Sequence, residues 1–263
     1  MFAFFRHELK SGIKSLFIWA IAVGGMGLVC ILLYKSMEGS MAEMAESMAS
    51  MGSFSDAFGM STLSIATLKG YFATEIGTIH ELGSSLFAAS IATVMLSKEE
   101  DAHNAEFTFT LPTSRNKIIG MKYLNVLVEL IIFTIICGVL YFAGFVALGE
   151  TNASKELVSF MLFQLIMNVE IAAICLFISA ISKKNRIGLG ISVGMLLYAY
   201  DLIARVVPKL KDVKFISPFS YANATAIFAG EKIETSAIIL GGICILLFIV
   251  LSWIYYAKKD LAS

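Results

Sequence analysis

The sequence predicts an all-α polytopic membrane protein with six transmembrane helices, an N-terminal amphipathic interfacial helix, and both termini cytoplasmic. Three observations carry this. Apolar residues make up 58% of the 263-residue chain and charged residues only 15%, whereas a soluble domain usually carries about 25% charge. The mean hydropathy is +0.81. The apolar residues also fall into long runs, and a run of about 20 residues is enough to cross the hydrocarbon of a bilayer.

Residues 1–14 set Phe2, Phe5, Leu9 and Ile13 at helical spacing, with Arg6, Lys10 and Lys14 opposite. That is the pattern of a helix lying on a membrane surface. The apolar run that follows continues to about Tyr34. A cleaved signal would be shorter and would end in small residues, so this run reads as an uncleaved first span. The transmembrane domain covers 15–257, with spans at about 15–34, 74–96, 119–147, 157–181, 187–204 and 235–257, and a tail at 258–263.

Between the first two spans, Met37, Met41, Met44, Met48 and Met51 step by four and three residues along one helical face. Such a seam could offer thioethers to a soft metal or a pliable surface to a lipophilic substrate. Thioether ligands normally need nearby His or Cys, and residues 35–73 hold neither, so the seam reads as a packing face.

Lysine and arginine set the orientation. With the N-terminus inside, the inner segments hold twelve of the 20 basic residues; the outer segments hold eight, five of them in the single loop 205–234. That loop, with Val206, Leu210, Ile216, Phe219 and Tyr221, is expected to form short helices resting in the outer leaflet.

The formal net charge is zero, which gives no reason to expect nucleic acid. Cys30, Cys137, Cys175 and Cys244 all lie inside apolar runs, with spacing that fits neither a disulfide framework nor a metal site. There is no G-x-x-x-x-G-K-[ST], so the chain has no P-loop of its own.

The most informative stretch is 97–122, Ser-Lys-Glu-Glu-Asp-Ala-His-Asn-Ala-Glu-Phe-Thr-Phe-Thr-Leu-Pro-Thr-Ser-Arg-Asn-Lys-Ile-Ile-Gly-Met-Lys. Ser97 and Glu100 have capping-box spacing, and Glu99, Glu100 and Asp101 occupy the first turn, where a helix dipole favours acids. Pro112 ends the helix, and Thr113 or Ser114 can cap the next span. The result is a short acidic cytoplasmic helix, suited to a groove on a cytoplasmic partner.

This stretch resembles the type-two permease (ABC-2) branch of ATP-binding cassette transporters, whose pattern after the second span is near E-E-x-x-G-T-x-E-x-L-x-x-x-P-x-S-R-x-x-I-x-x-x-K. Glu99, Glu100, Glu106, Pro112, Ser114, Arg115, Ile118 and Lys122 match it. His103 and Asn104 replace the Gly-Thr pair, and Thr108 stands where an aliphatic is usual. Gly70-Tyr71-Phe72 and Ser217-Pro218-Phe219-Ser220-Tyr221 also resemble that family, so the likeness spans most of the chain.

The resemblance implies the permease subunit of an exporter, placed in a bacterial cytoplasmic membrane among lipid; the methionine face favours an amphipathic or lipophilic substrate. A coupling helix at about 98–110 would contact a separate cytoplasmic ATPase through Glu99, Glu100, Asp101, Glu106 and Arg115. The partner would bind ATP and Mg, leaving this chain without a cofactor and without catalysis of its own. A second permease subunit, identical or homologous, would complete the transporter.

Ionisable groups at membrane depth are costly and therefore functional candidates. His80, Glu81, Glu129 and Glu170 are the deepest, and they read either as a polar translocation path or as partners in interhelical bonds. The alternative function is an ion-coupled secondary transporter using the same residues. Such folds often carry repeats and broken helices; no six-span repeat and no proline within a span is evident here. Gly190 and Gly194 have the small-xxx-small spacing of close helix packing.

Overall fold

The computed structural model describes residues 2–49, 52, 55, 62–103 and 114–259. Met51, Glu106, the coupling helix beyond His103, and the tail beyond Lys259 lie outside the described residues. Every regular element among them is helical.

The chain opens with α1 (Phe2–Ala20), a π-turn (Ile21–Gly25) and α2 (Met26–Ala49), which form one unbroken rod. At about 1.5 Å per residue it is about 72 Å long. The stretch expected to be a separate interfacial helix is instead its first turns. The reason is burial: Glu8 is 3% exposed and Leu16 1%, and α1 packs against α6 (Arg115–Ala147). The rod approaches α6 most closely where glycines remove the side chain. A Cβ on Gly24 would stand 3.0 Å from Cys137 Sγ, and one on Gly27 only 2.4 Å from the Tyr141 ring.

After α3 (Leu68–Tyr71) and a second π-turn (Phe72–Ile76), α4 (Gly77–Met95) runs back through the bundle. The four-residue helix α5 (Lys98–Asp101) follows directly. Beyond α6 come α7 (Ser154–Ile181) and α8 (Ile187–Val206), two 3-10 stretches (Pro208–Ile216 and Pro218–Ser220), α9 (Ala224–Ala229) and α10 (Thr235–Lys258).

Five helical stretches are long and apolar enough to cross a membrane: Phe4–Met41, Arg115–Ala147, Ser154–Ile181, Ile187–Val206 and Thr235–Lys258. The span expected at 74–96 falls on the run from α3 to α4, which carries His80, Glu81 and several hydroxyl residues. Its polarity suits its place. It packs on both α7 and α8, and Phe87, Ala88, Ala89 and Ala92 are fully buried. The Gly190 and Gly194 spacing puts α8 close to α4, with a Cβ on Gly190 falling 2.0 Å from Thr93 Oγ1. An aromatic cluster fills the space between elements: the Phe72 ring lies 5.1 Å from both Phe145 and Phe228. By contrast α10 turns Ile239, Ile243, Leu246 and Val250 outward, a surface that needs lipid or another apolar partner.

The segment after α8 splits: Pro208–Ile216 stays at the surface with none of its residues buried and Ile216 51% exposed, whereas the part from Ser217 onward enters the bundle instead of resting in the outer leaflet. Phe219, Tyr221, Ala222, Ala224 and Phe228 are all at most 2% exposed, and α9 packs on α7. Its hydrophobic side chains fill a gap between helices, and its backbone is bonded by their polar side chains.

Candidate functional site

Two polar networks organise the molecule, one at an end of the bundle and one inside it. The end network is built around α5. Glu99 and Glu100 are 6% and 5% exposed. Glu99 pairs with Lys122, a fully buried lysine whose ammonium also donates to the Met95 carbonyl at 2.8 Å. Glu100 accepts from Lys259 at 2.5 Å, and Lys259 donates to the Ser182 carbonyl at 2.7 Å. Lys98 pairs with Glu8, which lies 3.7 Å from Lys122.

The other motif residues close the same end. Arg115 Nη1 donates to the carbonyls of Ala257 and Lys259 at 2.9 and 2.8 Å, satisfying groups that the C-terminus of α10 leaves open. Ser179 Oγ accepts from the amides of Leu96 and Ser97 at 2.9 and 3.1 Å, tying α7 to the turn between α4 and α5. Glu8 near the start of the chain and Lys259 near its end therefore sit at one end of the bundle.

This placement changes the reading of three of the residues expected to contact an ATPase. Glu99, Glu100 and Arg115 face inward and hold the helix ends together, whereas Asp101 is exposed. Glu106 lies outside the described residues. The expected capping box does not form: Ser97 makes no side-chain cap bond, and its hydroxyl donates to the Thr93 carbonyl at 3.3 Å. Glu100 is drawn to Lys259, so it does not reach back to the cap. Glu8 and Lys259 had no sequence motif to mark them; the one clue was a single acid among the basic N-terminal residues.

The inner network holds the segment after α8. Gln164 Nε2 donates to the Ala222 carbonyl at 2.7 Å. The Tyr221 hydroxyl donates to Glu170 Oε2 at 2.7 Å, and the Ala224 amide donates to Glu81 Oε1 at 2.6 Å. Glu81 also lies 3.8 Å from Arg205, which pairs with Asp201 as their four-residue spacing predicts. Glu170 is about 24 Å along α7 from Ser154 and about 17 Å from Ile181. The inserted segment thus reaches deep into the bundle.

His80 belongs to a different place, its Nδ1 2.9 Å from the Tyr141 hydroxyl and its ring among Phe133 and Phe160. Glu129 is held by Asn125 Nδ2 at 2.7 Å. The four candidate path residues thus have no hydrogen-bond partner in common among the described residues. His80, Glu81 and Glu170 serve interhelical bonds, and Glu129 lines a cavity of about 220 Å³ beside α1, α4 and α8. Among the described residues, no three His, Cys, Asp or Glu are grouped to hold a metal ion.

A helical membrane bundle with an acidic four-residue helix tied to three of its helices is now in view. A family model described as ABC-2 family transporter protein matches residues 2–261. The chain belongs to the ABC-2 transporter family. Comparisons with curated proteins and with solved structures found no match. ABC-2 membership makes the chain a multi-pass membrane component of an ATP-binding cassette transporter system, a transport protein whose family works with an ATPase. It gives no support to the ion-coupled carrier.

Proposed function

We propose that this chain is the permease subunit of an ATP-driven exporter, paired with a second permease subunit and a separate cytoplasmic ATPase. The observation that carries the reading is the anchoring of α5. Lys98 links it to α1, Glu99 to α6 and Glu100 to the end of α10. Displacement of α5 by a partner would be felt by all three helices, because each link is a buried or half-buried ion pair with little room to slip.

In this reading Glu99, Glu100 and Arg115 are positioning residues, and the docking surface is formed by Asp101, His103 and the residues that follow, Glu106 among them. The run from α3 to α4 is the sixth span. Both termini are cytoplasmic, and the α5 end of the bundle faces the cytoplasm. ATP and Mg are bound by the partner, since the chain has no P-loop. An apolar recess of about 280 Å³, lined by Leu127, Leu130, Val169 and Ala172, favours an amphipathic or lipophilic substrate entering from the membrane.

The test is to purify the chain from its native host. An ATPase should co-purify, Asp101→Arg should weaken its retention, and Glu99→Gln should leave it bound while reducing transport. Transport driven by an ion gradient with no ATPase present would overturn the reading.

A further inference from the structure

Glu129 is an acid with one oxygen unaccounted for. It lies on α6 and is 1% exposed. Its Oε1 accepts from Asn125, but its Oε2 is buried and has no hydrogen-bond partner. A buried carboxylate oxygen without a donor is unfavourable and rare. Gly12 makes the position possible, because a Cβ there would lie 2.2 Å from Glu129 Oε1.

The carboxylate lines the cavity of about 220 Å³. Ser11, Ser15 and Ser90 add hydroxyls to its wall, and Ile91 and Ile187 add apolar surface. The Ser90 hydroxyl donates to the Leu86 carbonyl at 2.6 Å, so its lone pairs remain open to a donor. Among the described residues the one cation in the lining, Lys98, is already paired with Glu8.

Charge counting points the same way. Glu8, Glu99 and Glu129 stand against Lys98 and Lys122, and the two lysines pair with Glu8 and Glu99. One acid, Glu129, is left over with no cation paired to it among the described residues. No three metal-ligating side chains converge here among the described residues, whereas one carboxylate oxygen and several hydroxyls suit the three N–H donors of an ammonium. The volume is below the range of about 300–1,000 Å³ that encloses a drug-sized ligand. It can hold a head group, with a tail leaving past the exposed rim at Ser11 and Ile187.

We propose that this cavity binds the primary ammonium head of a single-chain amphiphile, with the Glu129 carboxylate as its principal acceptor. As a substrate site it rests on the permease reading; as a binding site it stands without it. The probe is dodecylamine, titrated calorimetrically into the full chain in nanodiscs, with empty nanodiscs as blank and dodecanol and dodecyl sulfate as competitors. Saturable binding of one dodecylamine per chain is expected, weakened about tenfold or more by Glu129→Gln. Ser11→Trp plugs the rim without touching the carboxylate and should weaken binding as much, so the outcome does not hang on one variant's folding. Unchanged affinity in both variants, absence of saturable binding, or equal competition by dodecanol or dodecyl sulfate would overturn the proposal. No ATPase enters this assay, so its failure leaves the permease reading standing, and loss of ATPase co-purification leaves the site standing.

Discussion

Lys122 is fully buried and serves three groups at once: the Glu99 carboxylate, the Met95 carbonyl and, more distantly, Glu8. Removing one partner of a buried ion pair strands the other and costs about 3–5 kcal/mol. Lys122→Met should therefore lower the unfolding temperature sharply in detergent, and Glu99→Gln added to it should recover part of the loss. Equal stability of both variants and the parent would show that the pair is solvated. Tyr221→Phe is milder. It leaves Glu170 Oε2 without its donor inside the bundle and should cost about 1–3 kcal/mol, read by the same melt. At this scale the sequence was half legible. It marked Glu99, Glu100, Arg115 and Lys122 as a set, because their spacing follows a pattern. It did not show which way they faced, since Glu100 and Lys259 are 159 residues apart and only the folded chain brings them to 2.5 Å.

The helices were legible for a simple reason: an apolar run must be helical to satisfy its backbone in lipid, and run length sets helix length. The second half of the segment after α8 was not. Its hydrophobic residues fit a surface helix as well as a buried one, and what decides is the set of donors and acceptors on Glu81, Gln164 and Glu170. The close-packing face of α8 was legible from glycine spacing, though not its partner α4, and it gives a graded prediction. Gly190→Leu would drive a side chain into Thr93 and should separate the two helices, with a lower melting temperature and a protein prone to aggregate. Gly188→Ala, on the same helix but facing open space, should melt at the parent temperature or slightly above it, because alanine is the better helix former.

For the whole molecule, the shared end of Glu8 and Lys259 makes a topological prediction. In a chain whose four cysteines are replaced by alanine, single cysteines at Lys10, Lys184 and Lys258 should react with an impermeant maleimide only after the cytoplasmic face is opened. A cysteine at Glu150 should react from outside in intact cells. Labelling of Lys10→Cys and Lys258→Cys from opposite faces would contradict the arrangement. The rod of α1 and α2 bears on this geometry in another way. Its glycine contacts with α6 at Gly24 and Gly27 lie close to its midpoint, and a third, at Gly12, lies nearer its start. A stiff bar pivoting at the midpoint would be a lever of the first kind, with arms of about 33 Å toward Phe2 and about 37 Å toward Ala49. A tilt of about 5° would carry each tip about 3 Å, in opposite directions. In such a pivot, drawing the Glu8 end inward would swing the methionine-bearing end outward by nearly the same distance, so the helix would invert the sense of a motion while conserving its size.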